Sequence, residues 1–84
     1  KSDQLVVEQI IEDGKADAQV QARVAANSFE NFSLSIEETI TGLMIDRMDR
    51  NQSLVTKFLN EDELRRLLTE HIAKRIYEDL KKAG

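Results

Sequence analysis

The sequence predicts an all-α fold, a small bundle of four to five helices with a long C-terminal helix. Three observations carry this prediction. The 84 residues include no proline and only three glycines, so few positions interrupt a helix. Apolar residues recur at three- and four-residue steps along much of the chain. The strongest of these patterns spans Asn60–Lys82, and it has charges that match the helix dipole at both of its ends.

The first helix is predicted to begin near Ser2 or Asp3, either of which can cap it. Its apolar residues are Leu5, Val6, Val7, Ile10 and Ile11. Because most of these are β-branched, a strand over Leu5–Val7 is the alternative. We favour the helix because the chain offers no second strand to pair with it. Gly14 is expected to end or bend this helix.

A second helix is predicted from Lys15 or Ala16 to Asn31. Its apolar stripe comprises Val20, Val24, Ala25 and Phe29, with Phe32 just beyond. Asn27 and Asn31 lie near this stripe. We interpret them as residues that cap the helix or satisfy loop backbone groups, and contact with a partner is the alternative.

A third helix is predicted to open at Ser35, which forms a capping box with Glu38, and to end near Arg50. Its apolar residues are Ile36, Ile40, Leu43, Met44 and Met48, and we assign the two methionines to the core. Gly42 costs a helix interior about 1 kcal/mol relative to alanine. We therefore expect Gly42 to mark a close crossing between helices.

Two helices complete the prediction. Asn51 caps a short one that contains Leu54, Val55, Phe58 and Leu59. Asn60 caps the long final one and forms a capping-box-like pair with Glu63. The apolar stripe of the final helix is Leu64, Leu67, Leu68, Ile72, Ile76 and Leu80. Four acid-before-base pairs are predicted at four-residue spacing, each worth about 0.2–0.5 kcal/mol: Glu61–Arg65, Asp62–Arg66, Glu70–Lys74 and Glu78–Lys82.

The length fits one domain, residues 1–84. The chain begins at Lys1 without an initiator methionine, and we interpret it as an excised fragment of a larger protein. The absence of cysteine rules out a disulfide or a thiolate metal site and fits a reducing compartment such as the cytoplasm. No apolar run approaches the roughly 20 residues that span a bilayer, so no membrane partner is expected.

The net charge of −4 is unevenly distributed. Residues 1–43 carry three basic and eight acidic side chains, a net charge of −5. Residues 44–84 carry nine basic and eight acidic side chains, a net charge of +1. Neither half is the kind of basic patch that binds nucleic acid by releasing counter-ions.

The residues of common catalytic sites are missing from the sequence. It contains no GxxxxGK(S/T) phosphate loop, and its one histidine, His71, is interpreted as a half-buried structural residue. Asp13-Gly14-Lys15 and Asp79-Leu80-Lys81 match the acid-x-Lys half of a nuclease signature. We attribute both matches to chance in a chain that is 33% charged. We therefore predict no catalytic, cofactor-binding or metal-binding residue in this chain.

Four segments in series resemble the end of the R (restriction and motor) subunit of type I restriction enzymes. Ala26–Phe32, ANSFENF, looks like the family's Asn-Ser-x-Glu-Asn-Phe stretch. Ile45–Gln52, IDRMDRNQ, is similar to its Glu-Arg-Met-Asp-x-Asn-x run. Lys57–Leu64, KFLNEDEL, resembles Lys-Ile-Met-Asp-Asp-x-x-Phe, with leucine in place of the common aromatic. Arg75-Ile76-Tyr77 with Leu80 resembles the closing Lys-Val-Tyr-x-x-Leu.

This resemblance covers about two thirds of the chain, in the family's order and close to its spacing, while residues 1–24 carry no match. It implies that the chain is the C-terminal helical region of an ATP-driven DNA translocase and endonuclease. The ATP and Mg²⁺ sites of that parent would lie upstream. In the family, this region docks the motor on the methyltransferase and specificity subunits, and DNA is bound only through the full complex. We also expect weak self-association of the excised fragment, because excision exposes apolar surface.

Two other functions are also compatible with the sequence. The first is a generic helical adaptor that binds another protein, such as a toxin–antitoxin partner. The second is a helix-turn-helix DNA-binding domain built from Leu54–Leu59 and Asn60–Lys82. Its DNA contacts would come from Arg65, Arg66, Lys74 and Arg75, although these bases are interleaved with acids. The matching family segments favour the restriction-enzyme module over both.

Overall fold

The computed structural model describes residues 2–17, 20 and 28–83, and within these ranges the chain is all α-helix and turns, without strands. Four helices have described bounds: α1, Ser2–Lys15; α2, Phe29–Asp46; α3, Gln52–Asn60; and α4, Asp62–Ala83. With 22 residues α4 is the longest, and it packs against each of the other three. The predicted all-α bundle and long C-terminal helix are confirmed.

The core is one apolar cluster built from all four helices. The core residues that α2 contributes recur at every fourth position, so they form one stripe along that helix. The buried cluster comprises Val6, Ile10 and Ile11 of α1; Val20; Phe32, Ile36, Ile40 and Met44 of α2; Val55 and Phe58 of α3; and Ile72, Ala73 and Ile76 of α4. Burial of the α1 residues in this cluster explains why the β-branched stretch Leu5–Val7 is helical, as predicted.

The start of α2 differs from the prediction. Ser28 is the N-cap, and its hydroxyl accepts a hydrogen bond of 3.4 Å from the backbone N–H of Asn31. Ser35 lies inside the helix, where its hydroxyl donates to the carbonyl of Phe32 at 2.9 Å. The predicted Ser35 capping box is therefore wrong, because packing of Phe29 and Phe32 extends the helix by almost two turns toward the N-terminus.

The second predicted helix is only partly described. Its last residues, Phe29 to Asn31, belong to the first turn of α2. Val20 is helical and buried, as its place in the apolar stripe predicts. The remaining predictions for this helix, which concern Val24, Ala25 and Asn27, fall outside the described residues.

The two connections that flank α3 confirm one predicted cap and contradict another. Asn51 caps α3, since its side-chain oxygen accepts from the backbone N–H of Leu54 at 3.1 Å. Asn60 is instead the last residue of α3, and α4 begins at Asp62. The guanidinium of Arg65 donates to the carbonyl of Leu59 at 2.8 Å, so the final turn of α3 has a partner and continues through Asn60.

The close crossing of helices occurs at Gly14, and the prediction that placed it at Gly42 is wrong. A Cβ atom added at Gly14 would lie 2.5 Å from Cδ1 of Ile76, so α1 and α4 are in close contact there. Gly14 is helical and buried, and α1 continues to Lys15. Gly42 is exposed, and a Cβ atom there would meet no atom within 4 Å. Spacing alone did not show which glycine faces another helix.

Gly14→Ala is expected to destabilise the protein by about 1 kcal/mol. A gain in helix propensity of about 1 kcal/mol opposes an overpacking cost of about 1–3 kcal/mol against Ile76. Ile76→Val removes Cδ1, so the same glycine substitution should be neutral or stabilising in that background. Urea titration of both single variants and of the double variant measures this coupling. Gly42→Ala is the matched control and should stabilise by about 0.5–1 kcal/mol. Stabilisation by Gly14→Ala in both backgrounds would contradict the close approach.

Candidate protein-binding site

The family-like segments lie at or near helix ends. Residues 28–32 begin α2, and Ile45–Gln52 spans the turn from α2 into α3. Lys57–Leu64 spans the connection from α3 to α4, and Arg75 to Leu80 lies near the end of α4. Three of the segments therefore lie at a helix start or a connection, and the fourth lies within α4 near its C-terminal end.

An aromatic cluster joins the first of these segments to the last. The ring centroid of Tyr77 lies 5.5 Å from that of Phe29 in an edge-on arrangement and 5.3 Å from that of Phe32. The ammonium of Lys81 lies 5.2 Å from the Tyr77 centroid. Such aromatic pairs contribute about 0.5–1.5 kcal/mol beyond their buried area. The cluster fixes the start of α2 against the end of α4, which is a structural role.

Polar contacts hold α1 against the other helices. Glu8 accepts from the guanidinium of Arg75 at 3.1 and 3.5 Å, and Lys15 donates to Asp79 at 3.1 Å. Two further contacts join Asp13 to Arg47 and Asp3 to Asn51. The helix α1, which has no family match, is thus an integral part of the bundle.

The two acid-x-Lys tripeptides meet in one of these contacts, the ion pair between Lys15 and Asp79. Lys15 also pairs with Glu12 at 3.0 Å within α1. These hydrogen bonds raise the pKa of Lys15, with Glu12 the larger cause and Asp79 the next. The hydrogen bond from Lys15 lowers the pKa of Asp79. The geometry is that of a structural ion pair between α1 and α4, and the described ranges hold no group of three or more potential metal ligands.

Removing the charge of Asp79 should give a pH-dependent loss of stability. Its pKa is lower in the folded protein, so its contribution is present above the ordinary aspartate pKa of about 4 and is lost as the pH falls through the folded value. Asp79→Asn should therefore lower the thermal midpoint at pH 7. This difference from the unmodified protein should shrink as the pH falls through the folded pKa of Asp79, because its carboxylate then becomes protonated. Thermal unfolding across this range measures the difference, and Glu78→Gln on the exposed face is the control. An Asp79→Asn effect that persists unchanged at low pH would show that the charge of Asp79 contributes nothing.

Two of the four basic side chains proposed to contact DNA in a helix-turn-helix domain form hydrogen bonds or ion pairs within the bundle. Arg65 donates to the end of α3 and pairs with Asp62, and Arg75 pairs with Glu8. Arg66 and Lys74 are exposed. In the described part of the chain none of the four predicted four-residue pairs on α4 forms an ion pair, and this prediction is wrong. The reason is that exposed charges gain little from pairing in water, while Arg65 has backbone acceptors within reach.

A surface groove lies between α2 and α4. Its volume is about 330 Å³, and it is lined by Ser33, Leu34, Glu37, Asp62, Arg65, Arg66, Thr69 and Glu70. Leu34 stands at its edge with 69% of its surface exposed. Thr69 is only 5% exposed, and its hydroxyl oxygen has no hydrogen-bond partner within the described residues. The groove therefore combines an exposed leucine with a buried hydroxyl that lacks a partner.

Further concave surfaces lie on both sides of Leu34. One is lined by Ser35, Glu37, Glu38 and Thr41, and another by Phe29, Glu30, Ser33 and Glu70. Leu34 is thus a ridge that a partner could enclose. The sequence prediction omitted Leu34 because it began the helix at Ser35, which left Leu34 in the preceding connection. In the structure Leu34 is helical and out of register with the buried stripe of Phe32, Ile36 and Ile40. That displacement is itself a signal, since a leucine on the polar face of an amphipathic helix has no core to join.

Two further residues predicted from the sequence do not contribute to this groove. His71 is exposed on α4 rather than half-buried, because the buried face of α4 turns away from it toward Ile72 and Ile76. Leu67, a predicted member of the α4 stripe, is 55% exposed. None of the helices that the structure describes is long and apolar enough to cross a membrane.

Comparison of the chain with known proteins found no matching family model, no matching curated protein and no matching solved structure. The candidate site therefore consists of this chain's own features, the α2–α4 groove and the exposed Leu34. An apolar ridge surrounded by charged and polar groups is suited to contact with another polypeptide.

Proposed function

We propose that this chain is a non-catalytic assembly module, the C-terminal helical region of a type I restriction enzyme R subunit. In this role it docks the ATP-dependent translocase and endonuclease on the methyltransferase and specificity subunits. The observation that carries the proposal is the placement of the four family-like segments. Three of them lie at a helix start or a connection, and the fourth lies near the C-terminal end of α4. Phe29, Phe32 and Tyr77 bring the first and last of them into contact.

The proposal assigns ATP and Mg²⁺ to upstream domains of the parent chain and no cofactor to this module. It places the protein in the cytoplasm and limits its contact with DNA to the full complex. The charge distribution supports this division of roles. The chain carries a net charge of −4, so its long-range field does not attract phosphates. Arg65 and Arg75 are occupied by partners within the bundle, which weakens the helix-turn-helix alternative.

A helical adaptor of a different parent is the second candidate. The exposed Leu34 and the grooves around it favour this reading independently of any family resemblance. Both candidates are protein-binding modules, and they differ in the partner that each would recognise.

The test is a pair of binding titrations at near-physiological salt. One uses random duplex DNA, and the other uses the methyltransferase–specificity core encoded with the parent chain. We expect saturable binding to the core and weak binding to the DNA. Tight, salt-dependent binding to DNA without binding to the core would favour the helix-turn-helix function. An absence of binding to either would favour the adaptor.

The isolated module is expected neither to hydrolyse ATP nor to cut DNA. Its sequence lacks a phosphate loop, and the acid-x-Lys tripeptides are joined in a structural ion pair. A DNA-stimulated ATPase assay and a plasmid-cleavage assay on the purified chain measure this. Turnover that remains after a second, orthogonal purification step would refute the non-catalytic assignment.

A further inference from the structure

The strongest feature without an assigned role is the acidic surface around Leu34. The helix α2 carries Glu30, Glu37, Glu38 and Asp46 and no basic residue. These four carboxylates are exposed, and Glu70 of α4 faces the same groove. Leu34 lies beside Glu30, Glu37, Glu38 and Glu70, with 69% of its surface exposed. The groove is also lined by Arg65 and Arg66, and Arg65 pairs with Asp62. The acidic side chains around Leu34 outnumber these two basic ones, so the surface is net negative.

The opposite flank of α4 is already covered. There α1 packs against α4 through the Gly14–Ile76 approach and through the Glu8–Arg75 and Lys15–Asp79 ion pairs. On the groove side, α2 and α4 leave an open space of about 330 Å³ above Thr69.

We propose that the α2–α4 groove docks a basic amphipathic helix of a partner protein, with Leu34 as the apolar anchor. Such a helix would cover Leu34 with its apolar side chains. Its lysines or arginines would meet Glu37, Glu38 and Glu70. Helices commonly bind in this way, with an apolar face in a groove and charges that select the partner. An acidic surface repels duplex DNA and anionic lipid, so a basic polypeptide is the occupant that the charge selects.

This inference rests on the proposed function to the extent that it names the docking surface of that module. It can also be tested without the restriction-enzyme subunits. The probe is a fluorescently labelled synthetic amphipathic helix of leucine and lysine. A second peptide with the same leucines and with glutamate in place of lysine serves as its counterpart. Anisotropy titration at near-physiological salt is the measurement.

The variants come in matched pairs. Leu34→Asp removes the anchor, and Leu5→Asp removes a leucine on α1 that is 72% exposed and does not line the groove. Glu37→Lys with Glu38→Lys reverses two charges beside Leu34, and Glu63→Lys with Glu78→Lys reverses two exposed charges elsewhere on α4. Each pair changes the net charge equally. Circular dichroism checks that all variants retain their helix content.

The expected result is binding of the basic peptide and not of the acidic one. Leu34→Asp should weaken this binding about tenfold, the loss expected for one buried leucine contact. The Glu37/Glu38 reversal should weaken it at least as much. The Leu5 and Glu63/Glu78 variants should stay close to the unmodified protein. The proposal is overturned by equal losses within either pair or by binding of the acidic peptide. It is also overturned by a dimer of this chain that Leu34→Asp dissociates, since a second copy would then occupy the groove.

A titration of the same variants with the methyltransferase–specificity core separates the two proposals. If the core binds the unmodified chain and the Leu34→Asp variant equally, the assembly function stands and the groove assignment fails. If the basic peptide binds through Leu34 but the core does not bind, the groove assignment stands and the assembly function fails.

Discussion

Replacement of Ile76 by alanine is expected to lower the free energy of unfolding by about 2–5 kcal/mol. Ile76 is fully buried in α4, where it belongs to the main core cluster. Its Cδ1 fills the space above Gly14, so truncation opens a cavity at the crossing of α1 and α4. Because small domains are stable by only about 5–15 kcal/mol, this loss is a large share of the total. Urea titration with a fixed m value gives the difference.

Glu70→Ala is the control on the same helix. Glu70 is exposed, and the structure assigns it no ion pair among the described residues. Its replacement should change the free energy of unfolding by less than about 0.5 kcal/mol. Equal losses for Ile76→Ala and Glu70→Ala would show that the buried face of α4 has been assigned incorrectly.

Asn51→Ala is expected to destabilise the protein by about 1–2 kcal/mol, the second-largest effect of a single substitution here. The side chain of Asn51 accepts from the N–H of Leu54 and donates to the carboxylate of Asp3, so it caps α3 and holds the start of α1. It is also buried, and alanine would leave the N–H of Leu54 without that partner. Thermal or urea unfolding measures the loss.

Asn60→Ala is the matched control, since local sequence predicts a cap at both asparagines. The structure places Asn60 at the exposed end of α3, so its replacement should cost less than about 0.5 kcal/mol. Asn51→Asp separates the two roles of Asn51. It keeps an acceptor for Leu54 but places a carboxylate beside Asp3, and it should therefore lose stability mainly through the contact with α1. Similar losses at Asn51 and Asn60 would contradict the structural difference between the two asparagines.

Properties set by repeating patterns could be predicted from the sequence. The all-α class, the long final helix and the short helix capped by Asn51 follow from apolar periodicity and local capping chemistry. These features are determined by residues close together in the sequence. Most of the predicted core residues, such as Phe32, Phe58 and Ile76, are buried for the same reason.

Features that depend on contacts distant in sequence could not be predicted. Ser35 has good capping chemistry, but packing of Phe29 and Phe32 against the core moves the helix start to Ser28. Asn60 lost its predicted cap role because Arg65, five residues on, supplies a donor to the end of α3. A glycine marks a close crossing only where another helix packs against it. The residues next to Gly14 and Gly42 in the sequence do not show which of the two meets another helix.

The candidate site could be predicted only in outline. Composition indicated an interaction module, yet the groove requires α2 and α4 to lie side by side. Its central residue, Leu34, was visible in the sequence as an apolar residue outside the buried stripe. The lack of a hydrogen-bond partner for Thr69 depends on its surroundings after folding, and no sequence pattern signals it.

The attachment of α1 also has a consequence for the order of assembly. The Lys15–Asp79 and Glu8–Arg75 contacts join residues 64 and 67 positions apart, whereas α3 and α4 are joined by a single residue. Contacts between nearby residues close small loops, and contacts across most of the chain must overcome a larger loss of chain entropy. The helical hairpin of α3 and α4 should therefore form early, and α1 should join last. Substitutions at the α1–α4 crossing would then act chiefly by accelerating unfolding, leaving the refolding rate almost unchanged.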